Sequence, residues 1–295
     1  MIPDFIVSSY VTIPNNIDPI AFSMGFLKVR WYSLMYIVAF LVVYALLSYR
    51  IKKKETIYET NLVSSFLIYA MAGVLAGGRL GYVLFYNFSY YYHNILEIIL
   101  PFKISCFLIH ASCFEYFGIY GMSYHGGLIG VILATWYFTR KNKVDFLKWA
   151  EFAVPAVPAG FFFGRIGNFL NGELYGRITT GPWGMYFPSG GEVLRHPSQL
   201  YEAFFEGLVL FIILWSIRNG IKHKGKVFHV SYFMLYVFLY ALFRFFLEFF
   251  REPDSQLGFI LKWGKSGLTM GQIFSLGMLG LATALLFFKK DKKVV

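Results

Sequence analysis

Seven apolar runs, each about as long as a bilayer is thick, set the terms on which this chain can fold. They cover approximately residues 32–50, 61–85, 124–140, 147–169, 199–217, 227–250 and 270–288. A spanning helix needs about 20 apolar residues. The chain is 57% hydrophobic and only 15% charged, a composition that a soluble protein of 295 residues does not have. The expectation is an all-α integral membrane protein with about seven transmembrane helices, residues 1–295 forming a single membrane domain. The stretch 95–120 is apolar too, but Pro101, Lys103, His110 and Glu115 interrupt it. It reads as interfacial or re-entrant.

The net charge of +11 raises the question of nucleic acid, and the distribution of the charge answers it. Sixteen of the 27 Lys and Arg residues fall in four clusters at helix ends, at 50–54, 140–148, 218–226 and 289–293. In a seven-span topology all four lie on one side, which the positive-inside rule makes cytoplasmic. No nucleic-acid partner is implied. The N-terminus is then outside and the C-terminus inside. The first 27 residues carry no Lys or Arg, so a signal peptide's basic region is absent, and residues 1–30 read as an external arm. The longer connections, about 86–123, 171–198 and 251–269, fall outside as well. Residues 171–198 contain Gly181, Pro182, Gly184, Pro188, Gly190 and Gly191, the turn residues of a small external cap. Cys106 and Cys113 would be about 10 Å apart along a helix, too far for a disulfide, and carry no assigned chemistry.

Unusual polar residues collect in the outer half of this topology. The fourth run ends in Gly164-Arg-Ile-Gly-Asn-Phe-Leu-Asn-Gly-Glu-Leu-Tyr-Gly-Arg177. A loop meeting water explains Arg177. It explains Arg165 poorly, because Phe161, Phe162, Phe163, Ile166 and Phe169 surround that residue, and a charge in a span costs about 2.5 kcal/mol or more. A buried anion site is the better account. Tyr240, Arg244, Glu248 and Arg251 share one face of the sixth run, where Glu248 can pair with both arginines. One positive charge is left over, suited to a phosphate. His125-Gly126-Gly127 opens the third run. His is the side chain best suited to proton transfer near neutral pH, and the glycines allow close approach to the backbone. His196-Pro-Ser-Gln-Leu-Tyr-Glu202 opens the fifth, where Glu202 and Glu206 need partners that the arginines can supply. Trp31, Tyr32 and Tyr36 stand at the outer end of the first. Gly73, Gly77 and Gly81 form a small-residue stripe best read as helix packing, with Arg79 beside it as a candidate partner for a buried carboxylate.

Other chemistries lack their residues. There is no His-Glu-x-x-His, Cys-x-x-Cys, Gly-x-Ser-x-Gly or Walker loop, so neither metal nor cofactor is implied. Asp4, Asp18, Asp145, Asp254 and Asp291 all lie outside the spans, which removes an intramembrane aspartyl protease.

The strings His125-Gly-Gly-Leu-Ile-Gly130, Gly164 to Arg177, Arg195-His-Pro-Ser-Gln-Leu-Tyr-Glu202 and Glu248-Phe-Phe-Arg-Glu-Pro-Asp254 resemble those of bacterial prolipoprotein diacylglyceryl transferases. The resemblance runs from about Trp31 to the last span, with residues 88–120 longer than the family pattern. It implies transfer of diacylglyceryl from phosphatidylglycerol to the lipobox cysteine of a preprolipoprotein signal peptide, forming a thioether and releasing glycerol 1-phosphate. It also implies the bacterial inner membrane, with the active site towards the periplasmic face. By the same resemblance Arg165 binds the head group and Arg244 is the second essential arginine. Asn168, Glu173, Gly176 and Arg177 shape the pocket, and Tyr32, Tyr240, Glu202, Glu248 and Arg251 support it. His125 is the candidate base, a role that Arg244 would make unnecessary if it favoured the thiolate by charge. The rivals are a lipid transporter, which would need polar residues in both membrane halves, and a head-group transferase with another acceptor.

Overall fold

In a computed structural model, residues 10–25, 27–99, 121–223, 226–228, 231–253, 258–263 and 266–288 are described. The chain is mostly helical. Seven principal helices follow in order: α1 (Trp31–Lys52), α2 (Thr60–Tyr86), α3 (Tyr124–Lys141), α4 (Val157–Leu170), α5 (Ser198–Ile217), α6 (Tyr232–Leu247) and α7 (Met270–Phe288). Among the described residues α1, α2 and α5 are long and apolar enough to cross a membrane, while α6 and the stretch Met270–Leu285 of α7 are apolar but shorter. Leu41, Ile68, Leu75, Ile212 and Leu281 are all exposed. Lipid tails are the solvent such faces require, and the fold is of the all-α membrane class.

Three antiparallel hairpins interrupt the helices: β1 (Ile20–Met24) with β2 (Leu27–Arg30), β3 (Ile221–His223) with β4 (Lys226–Phe228), and β5 (Phe259–Trp263) with β6 (Ser266–Thr269). The N-terminal arm therefore has structure of its own, a short helix Ile13–Asn16 and the first hairpin. The stretch expected to be re-entrant begins with a 3-10 turn at Ile95–Ile98; residues 100–120, with both cysteines, lie outside the described residues.

Two of the apolar runs differ from the expected continuous helices. The fourth breaks into Phe146–Ala153, a 3-10 turn Val154–Ala156 and α4. Pro155 and Pro158 supply the reason, since neither has an N–H to donate along the helix. The sixth run begins as strand β4, and its helix starts only at Tyr232. Ser231 caps that start by accepting from the Met234 N–H (3.3 Å). The Glu151 carboxylate accepts from the Ser231 hydroxyl and from the Tyr232 N–H (2.6 Å).

Backbone contacts divide the chain into two compact units, residues 56–149 and residues 1–55 with 150–295. In the first, α2 and α3 run antiparallel in close contact. A Cβ on Gly77 would lie 2.7 Å from Gly130 Cα, and one on Gly81 would lie 2.7 Å from Gly126 Cα. The stripe is a packing device, and Gly126 is half of it. The rings of Phe66, Phe138 and Trp149 close one end, with centroids 5.0 to 5.5 Å apart. Arg79 donates to the carbonyls of Ile98 (2.8 Å) and Glu97 (2.6 Å) and lies over the Tyr91 ring.

In the second unit α1 and α4 are antiparallel. A Cβ on Gly160 would lie 2.9 Å from Val43 Cγ2, and one on Gly167 would lie 3.0 Å from Met35 Cβ. Helix α5 joins α4 through Gly207, whose added Cβ would lie 2.8 Å from Phe162 Cα. Val154, Leu210 and Leu214 are buried against Phe233, Tyr236, Leu239 and Phe243 of α6. Helix α5 is itself irregular, with a π-helical stretch at Ala203–Val209 between two α-helical ends.

Candidate active site

Three helices of the second unit each bring one charged residue to a single point. Arg165 comes from the last turns of α4, Glu202 from the first turns of α5 and Arg244 from the last turn of α6. The Arg165 Nε lies 2.8 Å from Glu202 Oε2, and Arg244 Nη1 lies 2.9 Å from Glu202 Oε1. One buried carboxylate therefore bridges two guanidinium groups. Arg244 Nη2 reaches a second carboxylate, Glu248 Oε2, at 2.8 Å. Arg165 Nη1 donates to Asn168 Oδ1 at 3.4 Å, and Asn168 Nδ2 donates to Glu173 Oε1 at 2.9 Å. The Phe161 ring lies 4.7 Å beneath the Arg165 guanidinium. The result is a continuous polar chain, Glu248–Arg244–Glu202–Arg165–Asn168–Glu173, among apolar helices. Buried charges survive only when paired and hydrogen-bonded like this.

The segment 171–198 is fixed through backbone. Gln199 Nε2 donates to the Glu173 carbonyl (2.6 Å) and Ser198 Oγ to the Leu174 carbonyl (3.1 Å). Gly176 pairs with Arg251 as an isolated bridge and donates to the His196 carbonyl at 2.8 Å. A Cβ there would meet the Phe250 carbonyl and lie 2.8 Å from His196 Cβ, so only glycine fits. Arg177 Nε donates to the Arg251 carbonyl (2.8 Å), its guanidinium lies over the Phe259 ring, and its own N–H reaches the Phe250 carbonyl. Gly176 and Arg177 thus dock residues 171–198 onto the end of α6, where cations complement the helix dipole.

The remaining expected residues fall into two groups. Tyr32 belongs to the same unit and is coupled electrostatically to Arg165 and Glu173; its hydroxyl is 3.0 Å from that of Tyr36. Tyr240 packs edge-on against Phe161, stacks on Tyr236, and is coupled to both buried arginines. Arg251 is coupled to Glu202. His125 stands in the other unit, exposed in the first turn of α3. Among the described residues no group of three His, Cys, Asp or Glu is disposed to hold a metal.

The structure adds residues that the site expectation lacked. Thr269 donates its hydroxyl to Glu248 Oε1 at 3.0 Å, and an added Cβ on Gly271 would fall 2.8 Å from the same oxygen. They hold Glu248 in place for Arg244. Neither has a local sequence signal, because the contact joins elements about twenty residues apart. Glu206 was visible as an intramembrane carboxylate, and its proximity to both arginines required the fold.

Comparison with known proteins bears on this arrangement. A family model described as prolipoprotein diacylglyceryl transferase matches residues 19–288. The phosphatidylglycerol–prolipoprotein diacylglyceryl transferase of Chlorobaculum tepidum is 47% identical over 281 residues, 95% of this chain and 92% of that protein. The protein of the same name from Coxiella burnetii is 45% identical over 265 residues, 90% of this chain and 92% of its own length. That from Nitratidesulfovibrio vulgaris is 43% identical over 285 residues, 96% and 98% of the two chains.

Proposed function

We infer what the site does from the fact that this chain belongs to the prolipoprotein diacylglyceryl transferase family. It is an enzyme that transfers a diacylglyceryl group to prolipoprotein during lipoprotein maturation. The lipid is phosphatidylglycerol, and the acceptor is the lipobox cysteine of a preprolipoprotein signal peptide. The thiolate attacks the glyceryl carbon that carries the phosphate. A thioether forms, the C–O bond breaks, and glycerol 1-phosphate leaves.

One observation carries the reading: Glu202 holds Arg165 and Arg244 side by side in a buried setting. The leaving phosphate gains negative charge as its C–O bond breaks, and preorganised cations are worth most where water is excluded. The forks of Arg165 and Arg244 bind the diester and then stabilise the departing monoester. Asn168 and Glu173 fix the outer side of Arg165, while Glu248 fixes Arg244. Tyr32, Tyr240 and Arg251 line the surroundings, and Gly176 and Arg177 hold the cap. A thiol of pKa about 8.5 is only a few per cent ionised near neutrality, so the thiolate needs help. His125 is a candidate base and Arg244 a candidate stabiliser of the thiolate.

The seven principal helices are the membrane spans, with α4 extended by Phe146–Ala153 and α6 and α7 lengthened by their flanking segments. The basic clusters lie in the cytoplasm. The arginine site, the N-terminal arm and the cap of residues 171–198 face the periplasm of the bacterial inner membrane. Phosphatidylglycerol enters from the lipid.

The test is a mass-spectrometric assay of purified enzyme with phosphatidylglycerol and a lipobox peptide, run beside Arg165→Ala. A diacylglyceryl mass on the cysteine with release of glycerol phosphate, both lost in the variant, is the expected result. Normal turnover by the variant removes Arg165 from the mechanism. No adduct from folded wild-type enzyme removes the assignment of substrates.

A further inference from the structure

One buried carboxylate is left unused by that mechanism. Glu206 is 1% exposed, and neither of its oxygens has a hydrogen-bond partner among the described residues. A carboxylate so placed within a spanning helix is costly and marks function far more often than packing. Its neighbour Glu202, one turn earlier, is fully engaged by two arginines. The charged groups facing Glu206 are Glu202 on its own helix, Arg165 from α4, Arg244 from α6 and Arg251 beyond the end of α6. The backbone carrying Glu206 is the π-helical stretch Ala203–Val209. Such segments are rare within α-helices and occur frequently at functional sites. Gly207 lets this stretch lie flat against Phe162, bringing Glu206 close to the arginine of α4.

We propose that Glu206 accepts the proton of the acceptor thiol. The proposal rests on the transferase reading above, and the argument is directional. Helix α5 starts at the cap, so Glu206 lies one turn, about 5 Å, farther from the cap than Glu202. With the lipid phosphate held by Arg165 and Arg244, the diacylglyceryl carbon lies on the side away from the cap, where its acyl chains run into the membrane. Displacement at that carbon needs the sulfur opposite the leaving oxygen, on the side that holds the unpartnered carboxylate. The S–H proton passes to a Glu206 oxygen as the S–C bond forms. The C–O electron pair goes to the leaving phosphate, and the proton then moves from Glu206 to that phosphate or to water. The arginines receive the charge that the leaving group develops.

The test compares two acceptor peptides that differ in one atom, a cysteine and a selenocysteine kept reduced. A selenol is already ionised at neutral pH and needs no base. Wild type transfers to both. Glu206→Gln is expected to lose about a hundredfold on the thiol, the usual worth of a general base, and to retain wild-type rate on the selenol. Equal losses on the two peptides would mean that Glu206 only maintains structure, and an unchanged thiol rate would mean that it does nothing. Either overturns the proposal. So would selenol rescue of His125→Gln without selenol rescue of Glu206→Gln. Should Glu206→Gln fail to fold, Glu206→Asp keeps the carboxyl group and withdraws it by a methylene, and the same selective thiol loss is expected. A wild-type enzyme that modifies neither peptide refutes the transferase reading itself, an outcome distinct from all of these.

Discussion

At one end of the antiparallel α1–α4 pair Glu55 bridges Arg50 and Arg218; at the other end Glu202 bridges Arg165 and Arg244. The stoichiometry is the same, two guanidinium groups to one carboxylate, and the surroundings differ. Around Glu55 the spare donors end on backbone. Arg50 donates to the Phe152 carbonyl and Arg218 to the Trp215 carbonyl (2.6 Å), while Asn219 adds a bond to Glu55 at 3.3 Å. Both guanidinium groups also lie over rings, those of Phe152 and Trp215. This triad ties helix ends together. Around Glu202 the partners are side chains, Glu248 and Asn168, with an unpartnered carboxylate one turn away. Side chains can exchange a partner for an incoming anion more cheaply than a backbone carbonyl can. The contrast separates a staple from the proposed binding site, although both are built from two arginines and one glutamate.

The largest test of that contrast is paired. Glu202→Gln releases both arginines at the site and should lower turnover by about a hundredfold or more, as loss of a preorganised electrostatic element does. Glu55→Gln should leave turnover unchanged and lower thermal stability, since hydrogen bonds to a charged group contribute about 1.5–3 kcal/mol and this pair is part-buried. Turnover of lipid to peptide thioether and the unfolding midpoint in detergent read the two effects separately. Equal turnover losses in both variants would abolish the distinction.

A smaller effect tests how the cap reaches the site. Gly176→Ala pushes a methyl group into the Phe250 carbonyl and His196, and overpacking of this kind costs about 1–3 kcal/mol. The unfolding midpoint should fall, with activity partly rescued by cooling. Thr269→Val is milder. It removes a hydrogen bond worth about 0.5–1.5 kcal/mol from Glu248 and should lower kcat by up to about tenfold with KM for lipid little changed. A KM effect alone would mean that Glu248 helps bind lipid without positioning Arg244.

Sequence reasoning recovers these features unevenly, and the physics says why. Apolar run length sets α1, α2, α3 and α7 to within a few residues, because lipid leaves a chain few choices. The Gly73–Gly77–Gly81 stripe reads correctly as packing, since three small residues on one face have a single geometric consequence. Arg165 is conspicuous because nothing local pays for it. Its counterion is legible in kind, since Glu202 needs a partner that an arginine can supply, but not in detail: Glu202 lies 37 residues from Arg165, and the sixth run also offers Glu248 to Arg244. The structure shows that Arg244 has both. The breaks are hidden for other reasons. Pro155 and Pro158 are visible, but whether they kink or end a helix depends on what packs there. The π-helical stretch of α5 has no compositional mark, and Glu151 caps α6 from about eighty residues away.

The smallest prediction concerns acid, where the cap and the Glu55 staple should fail in sequence. Burial lowers the His196 pKa from its ordinary 6.5; its ring sits among Trp183, Tyr201 and Phe250 and accepts from Trp183 Nε1 at 3.2 Å. A base with a depressed folded pKa binds fewer protons when folded, so its stability contribution is complete above about 6.5 and falls as pH drops towards the folded value. Burial alone would raise the Glu55 carboxyl, but hydrogen bonds from Arg218, Arg50 and Asn219 outweigh it and hold the group below its ordinary 4.5. That contribution is intact above about 4.5 and is lost only as pH falls further. Unfolding midpoints followed from pH 8 downward should therefore decline gently first and more steeply later. His196→Gln should flatten the first decline and Glu55→Gln the second. If His196→Gln leaves the first decline in place, another group titrates there. If Glu55→Gln removes both, the two ends of the unit are coupled and the staple is not independent of the site.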